Sequence, residues 1–234
     1  MKTKTKILIL FLFTIVLIFT RVAISQKIQN EIFETSKLIK NVENPLTTMA
    51  EEVIGYDGIL TSQVYASLLH AQNGEDSKIK EHRDRYEEVG KMLDDILKKE
   101  AKILLIQSER TPETRGKVLG YLQMLDDDNT ALVDLETKAF DSIGNKDIKN
   151  AYSYIMGGDY DRFKANFEQN YSSWVEIEKE LSADMEVKLY EKSQQVIYLN
   201  LVFSFVSTVL LTMIIFMLRA YMSQPLLEKI KNAK

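Results

Sequence analysis

The sequence of 234 residues contains no cysteine and only two histidines. The missing thiols exclude disulfides, thiolate zinc sites, iron–sulfur ligation and cysteine nucleophiles, and they leave the cellular compartment open. Two histidines also argue against a transition-metal enzyme. Among the candidate function classes an enzyme is the weakest, and we expect a protein that is not an enzyme, with no catalytic residues, no cofactor and no metal site.

Glycine and proline are scarce, with 9 and 3 residues respectively. Sheets and βα units need these residues in their turns, whereas long stretches without them favour helices. The composition therefore predicts an all-α protein.

Two long apolar runs lie near the ends of the chain. Residues 196–218 contain no charged side chain, and about 20 apolar residues are enough to cross the hydrocarbon core of a membrane as a helix. The first run, residues 7–24, reaches spanning length only by including Arg21. Because a long basic side chain can extend its charge to the membrane interface, we predict two transmembrane helices.

A cleavable signal peptide is the alternative for the first run. Its features are a basic start, a short apolar stretch and the small residues of Ala23-Ile24-Ser25 at a candidate cleavage site. A charge at Arg21, just before that site, is unfavourable for cleavage, and a second apolar run follows later in the chain. These two features favour a transmembrane helix.

Basic residues flank both apolar runs on the side of the chain ends (Lys2, Lys4, Lys6, Arg219, Lys229, Lys231 and Lys234). By the positive-inside rule both termini are cytoplasmic, in a two-pass protein of the cell membrane. Residues 22–196 carry 22 basic and 33 acidic side chains, a net charge of −11. That charge argues against nucleic acid as a partner and against binding of this segment to an anionic membrane surface.

The chain therefore divides into a cytoplasmic tail (1–6), a transmembrane helix (7–24), an extracytoplasmic helical domain (25–195), a second transmembrane helix (196–218) and a cytoplasmic segment (219–234). Within the outer domain we predict helices over 26–73, 77–106, 113–143 and 147–156, and a last helix from 159 into the second span. Asn44-Pro45 predicts a kink or break in the first helix, Ser77 caps the second, and a polar loop at 108–112 precedes the third. The four long helices predict a membrane-anchored four-helix bundle.

Apolar residues spaced by three and four predict the core faces of these helices. The second helix offers Ile79, His82, Tyr86, Val89, Leu93, Ile96 and Ile103, the third Leu122, Leu125, Asn129, Leu132, Glu136, Ala139 and Ile143, and the last Tyr160, Phe163, Phe167, Tyr171, Trp174, Ile177 and Leu181. Two positions of the third helix, Asn129 and Glu136, are polar. Without a partner each would cost several kcal/mol.

Folding the chain at its turns predicts two polar layers. One holds Tyr65, Arg85 and Glu136, with Arg85 and Glu136 in a bidentate ion pair. The other holds Asp57, Asp94 and Asn129, with Thr61 one turn from Asp57. Such layers either fix the register of the helices or line a small-molecule pocket between them.

A set of motifs between residues 45 and 170 resembles a sensor module. The motifs are Tyr56-Asp57-Gly58-Ile59-Leu60-Thr61, Arg85-Tyr86, Leu93-Asp94, Asn129-Thr130-Ala131-Leu132-Val133-Asp134-Leu135-Glu136 with Ala139-Phe140, and Tyr160 with Lys164. In order and spacing they are similar to the extracytoplasmic helical domains of membrane-bound histidine kinases, diguanylate cyclases and chemotaxis-type receptors. Gly58 replaces the usual acid and Gly74 comes about one turn late, so the ligand chemistry of that helix does not carry over.

The C-terminal segment Ser223-Gln224-Pro225-Leu226-Leu227-Glu228-Lys229-Ile230 resembles the start of a HAMP linker. No kinase, cyclase or methylated-helix region follows in this sequence. The sequence is therefore either part of a longer receptor or a receptor that acts through a separate output protein.

The resemblance implies a transmembrane sensory receptor whose second span relays an extracytoplasmic signal. The candidate ligand-binding residues are Tyr56, Asp57, Thr61, Tyr65, Arg85, Asn129 and Glu136. The expected partners are a second copy of the chain, a small molecule or an extracytoplasmic protein, membrane lipid, and a cytoplasmic kinase, cyclase or chemotaxis module in cis or in trans. The alternative is a membrane-tethered interaction protein that senses no ligand.

Two other polar features suggest a metal site only weakly. Consecutive residues of a helix point in different directions, so the acids at 126–128 cannot chelate one ion together, and we interpret them as a solvated face. His70 and His82 lack ligand spacing to each other.

Overall fold

The computed structural model describes the backbone of residues 3–231 and the side chains of residues 5–222. This part of the chain is helical almost throughout and contains no strand, which confirms the all-α prediction. The chain divides into two compact units, residues 1–37 with 185–234, and residues 38–184. Lys2, Lys234 and the side chains of the HAMP-like segment lie outside the described residues.

The helices follow one another with short connections. In chain order they are α1 (Thr3–Leu38), a π-helical segment π1 (Ile39–Glu43), α2 (Asn44–Gln72), α3 (Asp76–Asp95), a second π-helical segment π2 (Ile96–Glu100), α4 (Ala101–Gln107), α5 (Pro112–Gly144), α6 (Ile148–Ile155) and α7 (Gly158–Lys231). The ends of α5 and α6 agree with the sequence prediction to within one residue.

The first unit carries the two apolar runs. Two helical stretches, Thr5–Gln72 and Ile148–Met222, each contain a window that is long and apolar enough to cross a membrane by length and composition. Large apolar side chains in these windows face outward; Phe19 and Phe205 are each 72% exposed. Exposed apolar surface of this extent is what a membrane span requires.

Polar contacts join the two apolar segments inside the first unit. Arg21 Nε donates a hydrogen bond to Asn200 Oδ1 at 3.1 Å. Lys192 Nζ and Glu31 Oε2 form an ion pair at 3.1 Å. The charge of Arg21 is thus matched by a polar side chain of the other apolar helix, as is usual for polar residues in transmembrane helices.

The predicted kink at Asn44-Pro45 takes the form of the π-helical segment π1. Proline has no N–H, and its ring clashes with the carbonyl four residues earlier, which here is Asn41. The wider π turn just before Pro45 accommodates this mismatch without ending the helix. Two consecutive residues of π1, Val42 and Glu43, are both buried as a result.

The second π-helical segment shifts the core face of the following helix by one residue. Ile96 and Leu97 are both buried, and Ala101 and Leu105 then continue the core. The prediction that Ile103 faces the core is wrong, since it is 54% exposed. A π turn holds one extra residue, which a regular spacing of three and four cannot anticipate.

Two similar turns end α2 and α5. At the first, Gly74 adopts a φ of +73° and Glu75 N donates to His70 O at 3.0 Å. At the second, Lys146 adopts a φ of +62° and Asp147 N donates to Ser142 O at 2.8 Å. Both are Schellman motifs, which satisfy the last free carbonyls of a helix.

The starts of α3 and α5 differ in their capping. The prediction that Ser77 caps α3 is wrong, because the helix already begins at Asp76 and Glu75 stands at its N-cap without a side-chain cap. Thr111 caps α5 by accepting from Thr114 N at 3.2 Å, with Pro112 at the first helical position. Proline is well suited to that position because it needs no partner for an N–H.

One continuous core fills the second unit. It is shared by α2, α3, α4, α5, α6 and the first part of α7, together with both π-helical segments. Every predicted core position of α5, including Asn129 and Glu136, is buried. Phe167 and Trp174 of α7 are fully buried. Trp174 is also the single tryptophan of the sequence.

Candidate functional site

Glu136 lies in the middle of α5 and is only 1% exposed. Its Oε2 accepts a hydrogen bond from the Tyr86 hydroxyl of α3 at 2.7 Å, and its Oε1 accepts one from the Tyr160 hydroxyl of α7 at 2.6 Å. Burial raises the pKa of Glu136, and the two donated hydrogen bonds only partly oppose that rise. Burial and the nearby carboxylate also raise the pKa of both tyrosines, so they stay neutral donors.

A lysine on α7 extends this layer to α2. Lys164 Nζ donates to Asp57 Oδ1 at 2.5 Å and to Thr61 Oγ1 at 2.6 Å. Asp57 is 7% exposed, so the contact is largely sheltered from water. We call the six residues Asp57, Thr61, Tyr86, Glu136, Tyr160 and Lys164 the Glu136 cluster. It joins four helices and contains two carboxylates but one ammonium group.

Arg85 does not belong to this cluster, and the predicted Arg85–Glu136 ion pair is wrong. The Arg85 side chain is about half exposed and binds Glu88 at 2.5 Å. The neighbouring residue Tyr86 takes the inward position, because it stands three residues before Val89 on the core face of α3. The sequence predicted Tyr86 as a core residue but did not identify it as the partner of Glu136.

The other predicted site residues do not come together in one site. Tyr65 is 38% exposed and its hydroxyl lies 3.9 Å from Met156 Sδ, outside the Glu136 cluster. Tyr56 is half-buried against the core. Asn129 Nδ2 lies 3.4 Å from Asp94 Oδ1, so this half of the predicted second layer is present.

Asp57 and Thr61 belong to a different layer from the one predicted, because they bind Lys164 and not Asn129. The sequence contained one indication that Lys164 is the partner of Asp57 and Thr61. Lys164 follows Tyr160 by one helical turn, close to the apolar face of α7, and the pair is part of the sensor-like motif set.

A groove of about 380 Å³ lies between α3 and α5. Tyr86, Gly90, Asp94, Asn129 and Val133 are among its lining residues. Its volume is within the range of about 300–1,000 Å³ that is typical of small-molecule sites. Tyr86 both lines the groove and binds Glu136, so the groove and the Glu136 cluster share a side chain.

Gly90 leaves the groove open at the α3 wall. A Cβ atom at this position would meet only Leu60 Cδ2, at an ordinary contact distance of 3.9 Å. Neither close packing nor a positive φ therefore requires glycine here. Glycine within a helix costs about 1 kcal/mol relative to alanine, so this position lowers the stability of α3 without a packing reason.

A second buried polar group lies around Arg110, whose side chain is fully buried. Its guanidinium donates to both carboxylate oxygens of Glu178 at 2.7 and 2.5 Å and to Glu43 Oε2 at 2.5 Å. Trp174 Nε1 also donates to Glu178, at 2.8 Å. We call Glu43, Arg110, Trp174 and Glu178 the Arg110 cluster. It ties π1 and the segment before α5 to α7.

Sequence reasoning missed the Arg110 cluster because the segment 108–112 has the composition of an exposed polar loop. Ser108 and Arg110 are instead 4% and 5% exposed. Glu178 had a detectable signal, since it follows Trp174 by four residues on the buried face of α7. Glu43 also had a signal, since it stands three residues before the buried Leu46, in the spacing of three and four that Ala50 continues.

The acidic run at 126–128 is only partly a solvated face. Asp127 is exposed, but Asp128 is 9% exposed and accepts a hydrogen bond from Asn170 Nδ2 at 2.9 Å. The solvated-face interpretation is thus wrong for Asp128, whose pKa is raised by burial. His70 and His82 stack with ring centroids 5.1 Å apart. Among the described residues no group of three or more metal-ligating side chains is present.

No protein-family model matches the chain, and neither the curated proteins nor the solved structures give a significant match. The candidate site therefore stands on its geometry.

Proposed function

We propose that this chain is the sensory part of a two-pass receptor of the cell membrane. Residues 7–24 and 196–218 span the membrane, both termini are cytoplasmic, and the domain 25–195 is extracytoplasmic. The apolar windows and their exposed side chains support the two spans. The basic residues near both ends and the net charge of −11 between the spans support the orientation.

The contacts of α7 with α5 and α2 through the Glu136 cluster carry this proposal. Tyr160 and Lys164 of α7 bind α5 and α2, and Glu136 in turn binds α3 through Tyr86. The same helix contains the second apolar run, and its sequence has no glycine or proline between residues 159 and 222. A helix without a breaker can transmit a displacement of its first part along its length.

The groove supplies a site at which a signal acts on α7. A molecule in the groove contacts Tyr86, Tyr86 binds Glu136, and Glu136 binds Tyr160 of α7. A ligand that binds one arrangement of these helices better than another shifts the population between them. The displacement of α7 is then a piston, tilt or rotation.

The receptor acts as a symmetric homodimer, since two-fold dimers are the commonest closed assemblies of identical soluble chains. Its output is a cytoplasmic kinase, cyclase or chemotaxis module, in the same chain or in a separate one. The HAMP-like segment 223–230 is the point at which such a module connects.

A pair of glycine substitutions tests the relay. A reporter kinase is fused after Lys234, and Gln194-Gln195 is replaced by two glycines. We expect the variant to lose control of the kinase, because each glycine lowers helix stability by about 1 kcal/mol, while the second unit stays folded. Two alanines at the same positions are the control, since alanine keeps the helix intact. Fluorescence of Trp174, recorded for the same variants without the fused kinase, follows the folding of the second unit. Unchanged signalling in the glycine variant would reject the relay.

Two exposed isoleucines favour the second candidate function, an interaction protein that senses no ligand. Ile103 and Ile106 are 54% and 70% exposed and lie three residues apart on α4, where an apolar pair could contact another protein. Replacing both by serine separates the two functions. If the serine variant loses a bound partner but keeps control of the kinase, the isoleucines form an interaction surface in addition to the sensory function. If it loses the partner and no fusion of the chain controls the kinase, the chain is an interaction protein that senses no ligand.

A further inference from the structure

The groove between α3 and α5 has an apolar floor and a charged rim. Tyr86 and Val133 provide aromatic and aliphatic surface, and Gly90 contributes no side chain to obstruct it. Asn129, which is only 3% exposed, and Thr130 add polar groups on the α5 wall. A ligand that fits these walls has an apolar body and a small polar group.

The ion pairs around the groove show which of its charged side chains already have a partner of opposite charge. Four charged side chains line it: Glu87, Lys91, Asp94 and Lys98. Lys98 binds Asp94 at 2.8 Å and lies 3.6 Å from Asp126. Glu87 lies 3.5 Å from Arg83.

Lys91 differs from the other three, because within residues 5–222 no acidic side chain forms an ion pair with it. The side chains lining the groove carry no net charge, since two acids and two bases balance. Any preference of the groove for a charged ligand therefore comes from the unpaired Lys91 ammonium group. A lysine ammonium group has three donors and no acceptor, so its ionic partner is an anion such as a carboxylate.

We propose that the groove binds a small organic carboxylate with an apolar body. The carboxylate pairs with Lys91 and accepts from the hydroxyl of Thr130, and the apolar body covers Tyr86, Gly90 and Val133. This inference rests on the proposed sensory function and names the ligand class of its site. Contact with Tyr86 connects the ligand to Glu136 and Tyr160 of α7.

Three probes share a phenyl ring and differ in charge, so they separate the effect of charge on binding from the effect of the apolar contact. Phenylacetate, phenylacetamide and phenethylamine are titrated calorimetrically into the full chain in lipid nanodiscs. We expect phenylacetate to bind most tightly and phenethylamine least. Tighter binding of the amine, or no binding of phenylacetate at millimolar concentration, would overturn the proposal.

Variants then locate the site. Lys91→Gln should weaken phenylacetate binding by about two- to fivefold, as expected for one exposed charge pair, and bring it close to that of phenylacetamide. Lys80→Gln, an exposed lysine of α3 that does not line the groove, should leave binding unchanged. Gly90→Leu should fill the groove and reduce binding by at least about tenfold; Gly116→Leu, at an exposed position of α5, is its control. If Gly90→Leu does not fold, Lys91→Gln alone decides, and equal binding by it and the wild type overturns the proposal.

The kinase fusion separates this inference from the sensory function. Phenylacetate binding without any change in kinase activity would count against the sensory function and leave the carboxylate site standing. Kinase control by an extracytoplasmic signal that persists in both Lys91→Gln and Gly90→Leu would support the sensory function and overturn the assignment of the ligand.

Discussion

The Arg110 cluster and the Glu136 cluster have the same charges but a different arrangement. Each contains two buried carboxylates and one cation. In the first, the guanidinium of Arg110 binds both Glu43 and Glu178 directly. In the second, Lys164 binds Asp57 and Thr61, and Glu136 receives its hydrogen bonds from two neutral tyrosines.

The two arrangements should respond differently when a group in the cluster is removed or protonated. A buried ion pair with bidentate geometry is strongly destabilised when one partner is removed. A buried carboxylate held by hydroxyl donors can instead gain a proton and keep part of its hydrogen bonding. We therefore expect the Arg110 cluster to fix the position of α7 and the Glu136 cluster to respond to changes around it.

Arg110→Met should give the largest loss of stability. It leaves Glu43 and Glu178 buried without a cation, which typically costs about 3–5 kcal/mol. Denaturant unfolding of the full chain in nanodiscs, followed by the fluorescence of Trp174, measures the free energy of unfolding of the second unit. Arg83→Met is the control, because its ion pair with Asp141 is exposed and contributes less than about 1 kcal/mol. Equal losses of stability in the two variants would show that the buried Arg110 cluster contributes no more than an exposed ion pair.

Glu136→Leu and Glu136→Gln should differ in the second cluster. Leucine leaves the hydroxyls of Tyr86 and Tyr160 without an acceptor, at a combined cost of about 1–3 kcal/mol, because removing the buried charge offsets part of the loss. Glutamine accepts from one hydroxyl through its amide oxygen and donates to the other through its amide nitrogen, so its effect should be smaller, about 0.5–1 kcal/mol. The same unfolding measurement decides, and adding Tyr86→Phe and Tyr160→Phe to the leucine variant should restore part of the loss. A glutamine variant as unstable as the leucine variant would show that the cluster needs the carboxylate charge.

The pH dependence of stability should contain a contribution from Glu136. Because its pKa is raised in the folded state, the folded chain binds more protons than the unfolded chain between the ordinary glutamate pKa of about 4.3 and the raised value. Stability therefore falls as the pH rises through this window, by at most about 1.4 kcal/mol per pH unit. Subtracting the profile of Glu136→Gln from that of the wild type isolates this slope, and Glu113→Gln, at an exposed position, serves as its control. Identical profiles for the wild type and Glu136→Gln would refute the contribution.

Thr61→Val should have the smallest effect, about 0.5–1 kcal/mol. The hydroxyl of Thr61 accepts from Lys164 and also donates to the carbonyl of Asp57 at 3.0 Å. Thr47→Val is a matched control, since Thr47 makes only the equivalent bond to a carbonyl, that of Glu43, at 3.1 Å. The difference between the two variants in the unfolding assay measures the contact with Lys164, and a difference of zero would show that Lys164 is held by Asp57 alone.

The scarcity of glycine and proline predicted the helical class. The spacing of apolar residues predicted the whole core face of α5, because regular helices repeat with one period. It failed at Ile103, where a π turn adds a residue that no composition signal marks. The partner of Glu136 was predicted one position away, at Arg85. The pairing assumed that opposite charges meet, whereas two tyrosine hydroxyls already on the core faces satisfy the carboxylate. Arg110 could not be predicted, since its burial depends on the packing of segments far apart in the sequence.

The two π-helical segments determine how this chain should align with a homologue. Each contains one residue more than an α-helical turn of the same position would hold. A homologue with uninterrupted α-helices should therefore align with single-residue gaps at 39–43 and 96–100. The helix before the first gap should then turn a different face to the core, whereas Glu43 keeps its spacing of three residues to Leu46.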